Sequence, residues 1–254
     1  MSIAFFDIDG TLATGRNVPE SAEKALAQMR ANGHLVFICT GRPRAYAEKN
    51  FGQYADGFVC NNGRLAFMGD RKLHDRALTA NEIASFVADL DAAGSGYAFL
   101  QEWDAYYGGN PAYRHIAEQV WGQDMLHDGI DPEALHAFNF DIYFADAAHR
   151  QRIAAALGDR CLVNPHGPHP SADVTVLGCD KGDAIINVAQ VLDVPIEDVF
   201  AFGDGINDQP MLRVVGHGVA MGNAVDELKA IAEYVTTDIN DNGVKNALAH
   251  YGLI

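Results

Sequence analysis

A chain of 254 residues can form one large domain or two modest ones, and a hydrophobic share of 48% supplies a full core. With 18 basic against 34 acidic residues the formal charge is −16. Such a surface repels nucleic acid and anionic lipid, and both are set aside as partners.

The chain opens MSIAFFDIDGTLATGR. Its apolar run Ile3-Ala4-Phe5-Phe6 predicts a strand buried on both faces, and Gly10 and Thr11 then break the run with turn chemistry. Asp7 and Asp9 thus fall at the carboxyl end of a buried strand, where open α/β sheets gather their ligands. Period-two geometry predicts that both carboxylates point to the same side. A first strand at Ile3 leaves no room for a signal peptide, and no apolar stretch reaches ~18 residues, so the expected location is cytoplasmic. The four cysteines, Cys39, Cys60, Cys161 and Cys179, form no CxxC pair and read as buried free thiols in a reducing compartment.

From Pro19 the segment PESAEKALAQMRANG predicts a helix, with Ala22, Ala25, Leu26 and Met29 at helical spacing and Gly33 as its stop. HLVFICT follows as a strand, GRPRAYAEKNF as a short helix and GFVCNNG as a strand; Asn61-Asn62-Gly63 reads as a hairpin turn leading to RLAFMG. The alternation returns at KGDAIINVAQVLD (helix), DVFAFGD (strand), NDQPMLRVV (helix) and GHGVAMG (strand), then NAVDELKAIA (helix) and EYVTT (strand). Six strands alternating with helices predict a doubly wound parallel sheet, of Rossmann-like α/β class, carried by residues 1–79 and 176–254.

Residues 80–175 follow a different pattern. EIASFVADLDAAG is helical, whereas YAFLQEW, HAFNFDIYFAD, RCLVNP and ADVTVLG read as strands. Phe138, Phe140, Ile142 and Phe144 alternate strictly, which predicts an antiparallel sheet with a helical layer on one face. This segment reads as an α+β domain inserted into the α/β domain. Gln101, Trp103, Tyr106, Tyr107 and Arg114 are its candidates for lining a pocket, and His166 and His169 fall in a Pro-rich surface loop.

Polar clusters close or follow the apolar strands of the α/β part. They are Thr40-Gly41-Arg42, Lys181 in GCDKGD, and Asp204, Asn207 and Asp208 in GDGIND. In a parallel sheet these ends converge on one edge. Asp7 and Asp204 are hard oxygen ligands suited to Mg²⁺, while Lys181, Thr40 and free backbone N–H groups are the donors that phosphoryl oxygens need. Arg42 reads as structural or peripheral, and Cys179 as a neighbour of the site.

DIDGT, TGR, DKG and GDGIND, in this order, resemble the four motifs of the haloacid dehalogenase-like (HAD) hydrolase superfamily. The insert resembles the C2 cap, and the whole most resembles the Cof-type phosphatases. The resemblance implies Asp7 as a nucleophile that becomes an aspartyl-phosphate and Asp9 as general acid/base. It implies Thr40 and Gly41 on the phosphoryl oxygens, Lys181 steadying nucleophile and phosphate, and Asn207 assisting. It also implies Mg²⁺ on Asp7, the Asp9 backbone carbonyl and Asp204, with Asp208 in support. Similar Asn-Gly segments border the site in such relatives, which makes Asn62 a candidate substrate contact. The expected activity is Mg²⁺-dependent hydrolysis of a small phosphorylated metabolite, sugar phosphates foremost, by a monomer or homodimer. The rivals are a phosphosugar mutase and a non-catalytic phosphate sensor.

Overall fold

The structure is a computed structural model describing residues 1–254. In chain order it forms β1 (Ile3–Phe6), α1 (Glu20–Ala31), β2 (Leu35–Cys39), α2 (Arg44–Phe51), β3 (Gly57–Cys60), β4 (Leu65–Met68), β5 (Arg71–Asp75), α3 (Ala80–Ala93), β6 (Gly96–Leu100) and β7 (Ala105–Gly109). There follow α4 (Arg114–Trp121), β8 (Leu126–Asp128), β9 (Asn139–Tyr143), α5 (Ala147–Leu157), β10 (Cys161–Pro165) and β11 (Ser171–Val176). The chain ends with α6 (Lys181–Val191), β12 (Val199–Gly203), α7 (Gln209–Val214), β13 (His217–Ala220), α8 (Asp226–Lys229), β14 (Tyr234–Val235) and α9 (Gly243–His250). These elements divide into two compact units, Met1–Asp75 with Cys179–Ile254, and Arg76–Gly178.

The first unit is built on a sheet of order β14-β13-β12-β1-β2-β3-β4-β5. Its first six strands pair in parallel, and the β3–β4 and β4–β5 pairs are antiparallel. The core of the sheet is apolar because β1, β3 and β12 are buried at every position. Phe6 stacks on Phe202 with ring centroids 4.4 Å apart, locking β1 to β12. Helix α1 buries the four residues that its spacing singles out, Ala22, Ala25, Leu26 and Met29. Beyond the six parallel strands, β4 is the hairpin partner expected across Asn61-Asn62-Gly63, and β5 is an unforeseen addition. The expected helix over NAVDELKAIA shrinks to the four residues of α8, and α9 closes the unit beyond the last expected strand.

The second unit is a sheet of order β10-β11-β9-β6-β7-β8, antiparallel except for the β7–β8 pair. Helix α3 has a capping box at Thr79 and Glu82 and ends on Gly94 in the left-handed conformation. Its Ile83, Phe86 and Leu90 pack with Phe140, Ile142 and, from α5, Ile153 and Leu157 on one sheet face. The opposite face is not left to solvent, as one-sided alternation implies: α4 covers part of it, with Ile116 and Ala117 against Ala98, Leu100, Tyr107 and Tyr143. Asn139, Asp141 and Tyr143, which alternate with the phenylalanines, are consequently buried too. Arg114 is taken up by Asp128 at 2.7 Å and Glu118 at 3.1 Å. Gln101 closes a turn by donating to Asp104 at 2.9 Å and accepting from the His136 N–H at 2.9 Å. His166 and His169 both contact the Ser171 hydroxyl, at 2.8 and 3.0 Å.

Candidate active site

Strands β12, β1 and β2 are neighbours and run parallel, so the segments after Gly203, Phe6 and Cys39 leave the sheet at one edge. Asp7 N–H still donates to the Phe202 carbonyl at 3.0 Å, and the chain turns after it. Leu12 N–H donates to the Asp7 carbonyl at 3.2 Å, and Ala13 N–H donates to the Ile8 carbonyl at 2.8 Å, which closes a wide turn of five-residue spacing. The turn after Asp7 carries Asp9, which bridges to Ala13. Asp7 is buried, whereas the Asp9 side chain is half exposed and meets the Arg42 guanidinium at 3.3 Å.

Lys181 holds the centre. Asp180 caps α6 in a capping box with Asp183 and fixes Lys181 as the first helical residue. The Lys181 ammonium, 1% exposed, donates to Asp7 Oδ1 at 2.6 Å and to Asp208 Oδ1 at 2.7 Å. Asp208 Oδ2 accepts from the N–H groups of Asp204 and Gly205, each at 3.0 Å, and so ties down the loop that carries Asp204. Thr11 Oγ1 donates to Asp204 Oδ1 at 3.1 Å. Gly10 has a φ of +89°, and a Cβ there would lie 2.2 Å from Asp204 Oδ2. Only glycine lets the first motif and the Asp204 loop approach this closely.

Charge at this centre is unbalanced. Burial lifts the Asp7 carboxyl to about 7, against the pull of Lys181 and with a further push from Asp208. Burial likewise raises Asp204, although the Thr11 hydroxyl works in the other direction. Burial opposes the charge on Lys181 too, but Asp7 and Asp208 outweigh it and hold the ammonium above its ordinary range. Burial pushes the neighbouring Cys39 thiol up to about 12, so it stands as a neutral, inert group.

Carboxylate oxygens of Asp7, Asp204 and Asp208 lie within 4.8 Å of one another, against one lysine. An all-oxygen set with surplus negative charge fits a hard divalent cation such as Mg²⁺. The Asp9 carboxylate is not part of this group. Asp208 has both oxygens engaged, by Lys181 and by the Asp204 and Gly205 N–H groups.

The remaining candidates surround this centre unequally. Thr40 is buried; its N–H donates to the Val59 carbonyl at 2.8 Å and its Oγ1 accepts from the Arg42 N–H at 3.1 Å. Gly41 is exposed, and a Cβ there would come within 2.9 Å of Asn62 Oδ1, so the Asn62 amide lies over the Thr40-Gly41 turn. Asn61, Asn62 and Gly63 all take left-handed φ values, of 52°, 53° and 103°. Consecutive strained residues of this kind cluster at functional loops. Gly63 abuts α6, since a Cβ there would fall 2.0 Å from the Asp180 carbonyl. Asn207 is exposed, with its side chain folded toward Gly205. Cys179 sits 3.6 Å from the Gly63 carbonyl and 3.8 Å from His74 Nε2, in contact with the Asn-Gly loop and not with the carboxylates.

One residue and one contact escaped the sequence reading. The Asn223 amide donates to the Gly10 carbonyl at 2.8 Å and accepts from the Ile239 N–H at 3.0 Å, clamping the turn that carries Asp9. A polar residue just past the end of a parallel strand, as Asn223 is past β13, was the available signal. For Arg42, read from the sequence as structural or peripheral, it was the contact with Asp9 that went unforeseen, because it depends on two loops meeting in space.

Residues 4–248 match the model of a family described as haloacid dehalogenase-like hydrolases. YkrA of Bacillus subtilis, named a phosphatase with no substrate given, is 31% identical over 257 residues, covering 99% of this chain and 98% of its own. A solved hypothetical protein from Geobacillus kaustophilus superposes with a TM-score of 0.85 at 28% identity, over 100% of this chain and 99% of its own. The solved subclass IIB sugar phosphatase BT4131 gives 0.76 at 26% identity, over 100% of both chains. This chain belongs to the haloacid dehalogenase-like hydrolases, among the phosphoric monoester hydrolases of that family.

Proposed function

We propose that this enzyme hydrolyses small phosphorylated metabolites, sugar phosphates foremost, in two displacements on Asp7 with Mg²⁺ as cofactor. The observation that carries the reading is the Lys181 ammonium held between Asp7 Oδ1 at 2.6 Å and Asp208 Oδ1 at 2.7 Å, beside Asp204. Lys181 orients the Asp7 carboxylate and opposes the burial that disfavours its ionised form, the state needed for attack. An Asp7 oxygen forms a bond to phosphorus while the bond from phosphorus to the leaving oxygen breaks. Asp9 gives that oxygen its proton. Asp9 then takes a proton from water as the water oxygen attacks phosphorus, which breaks the Asp7–phosphoryl bond and frees inorganic phosphate. Thr40, the Gly41 N–H and Asn207 are the assigned donors to the phosphoryl oxygens, with Asn62 at their border. Asp7, Asp204 and the Asp9 backbone carbonyl would hold Mg²⁺, with Asp208 in support. When bound, the ion supplies positive charge that lets a phosphate dianion approach a carboxylate.

The sugar-phosphate preference is supported by the full-length likeness to a sugar phosphatase. The inserted unit is the assigned cap, expected to contribute to selectivity. The test is phosphate release from a panel of phosphorylated metabolites. Activity is expected to vanish on chelation and return with Mg²⁺, and Ca²⁺, with its larger and looser shell, is expected to inhibit. Full activity after exhaustive chelation, checked by metal analysis, would overturn the metal assignment, and no phosphate release from any ester would overturn the activity.

A further inference from the structure

The turn that carries Asp9, with a parallel bridge from Asp9 to Ala13, continues into a short hairpin closed by the antiparallel bridge from Thr14 to Asn17. Thr14 and Asn17 exchange both backbone hydrogen bonds, at 3.1 and 3.2 Å, and Gly15 takes a φ of +65° at the first central position. Arg16 is the second central residue and is exposed. The Arg16 guanidinium carbon lies 5.8 Å from the centre of the Tyr46 ring, on α2. Arg42, from the loop after β2, reaches the same ring at 5.3 Å. Two cations from separate loops thus share one aromatic platform in a chain of net charge −16.

Their partners differ. Arg42 meets the Asp9 carboxylate at 3.3 Å, and no carboxylate pairs with Arg16. Stacking on an aromatic face holds a guanidinium with its N–H fork directed outward and leaves its charge free to act. Two like charges on one ring repel each other, and an anion between them relieves that repulsion. A planar fork suits phosphate or carboxylate by paired hydrogen bonds.

We infer that Arg16, Tyr46 and Arg42 form a receptor for a second anionic group on the leaving-group side of the substrate. The side follows from Asp9: as the acid it touches the leaving oxygen, and Arg42 touches Asp9. The favoured substrates are then phosphomonoesters whose alcohol part carries a further phosphate or carboxylate a few atoms from the scissile ester. The inference rests on the phosphatase reading and narrows its substrate class.

Two matched pairs test it: 3-phosphoglycerate against glycerol 3-phosphate, and ribose 1,5-bisphosphate against ribose 5-phosphate. The wild-type kcat/KM is expected to favour the doubly anionic member by about tenfold or more, the scale of one charge-assisted pair. Arg16→Ala is expected to remove most of that preference through KM. Arg42→Lys is expected to retain part of it. Arg42→Ala is expected to lose it and also to lower kcat on alkyl esters more than on p-nitrophenyl phosphate, because Asp9 is then unheld. A second arm measures binding of the same four esters by calorimetry to Asp7→Asn, which needs no turnover. There the doubly anionic esters are expected to bind about tenfold more tightly, and only with Arg16 present. Equal affinity within each pair, or a preference unchanged in Arg16→Ala, would overturn the receptor. Absence of turnover on every ester, p-nitrophenyl phosphate included, would instead overturn the phosphatase reading, and the binding arm would then decide the receptor alone.

Discussion

Both units bury aspartates, and they treat the charge in opposite ways. In the first unit Asp7, Asp204 and Asp208 gather at the carboxyl ends of parallel strands around Lys181, with further donors from Thr11 and two backbone N–H groups. In the second, Asp141 sits in the middle of β9, directly across from Asp173 on β11. It receives a hydrogen bond from Trp121 Nε1 at 2.9 Å, and its other oxygen has no partner. Burial and then Asp173 push the Asp141 carboxyl up to about 8. Asp141 has no ammonium beside it and sheds its charge by keeping a proton. The first unit sets a buried lysine against its carboxylates, and their surplus negative charge suits a divalent cation. A buried carboxylate at a sheet edge with a cation is a reactive group, and one in mid-strand without a cation is a neutral acid.

The sharpest way to break this contrast is to remove the lysine. Lys181→Met leaves Asp7 and Asp208 facing each other without compensation, as Asp141 faces Asp173. We expect kcat/KM to fall by about a thousandfold or more, as for loss of a central electrostatic group. Stability should drop by roughly 3–5 kcal/mol at neutral pH, the usual result of breaking a buried pair. Phosphate-release kinetics and urea unfolding read both quantities. Activity within tenfold of wild type would mean that Lys181 only fills space.

A smaller expected effect comes from Gly10→Ala, which puts a Cβ where Asp204 Oδ2 now lies and strains a φ of +89°. Asp204 must withdraw, so Mg²⁺ half-saturation should rise and kcat/KM should fall by about 10–100-fold. Thr11→Val should give a milder form of the same phenotype, of about three- to tenfold, since it removes one hydrogen bond to Asp204. A Mg²⁺ titration of activity separates both from a folding defect.

The smallest effect sharpens the other half of the contrast. The Asp141 carboxyl is raised by folding from 3.8 to about 8. An acid whose folded value is raised contributes stability that is complete below the unfolded value and is lost as pH rises through the folded one. Wild-type Tm should therefore decline between about pH 4 and pH 8 through this group. In Asp141→Asn the amide can still accept from Trp121 and can donate toward Asp173. Its melting temperature should be flatter over that window and several degrees higher at pH 8. Thermal melts of both proteins at pH 5 and pH 8 check this; parallel profiles would show that Asp141 is ionised.

Far more of the first unit than of the second was legible in the sequence, for physical reasons. Strand ends in a parallel sheet put chemistry in short contiguous motifs, so Asp7, Thr40, Lys181 and Asp204 announced themselves beside apolar runs. Arg42 and Asn223 did not, because their roles arise where separate loops meet. In the second unit the phenylalanine alternation marked β9 and its helical face. The opposite face was missed because α4 has no side-chain cap and β8 spans three residues. Asp141 lies on the other side of that alternation, and Trp121 of the helix packed over that face reaches it as a buried acid.

The reading of Asp7 as the group that takes up the phosphoryl is tested most directly by rapid-quench kinetics of Asp9→Asn with p-nitrophenyl phosphate and Mg²⁺. The phenolate leaves without a proton, so the first displacement proceeds, while the second lacks the base that activates water. The expected result is a burst of nitrophenolate approaching one equivalent per site, followed by slow turnover. Peptide mapping of the quenched protein should place one phosphoryl group on Asp7. Linear release with no burst, or a phosphoryl group found on any other residue, would contradict it.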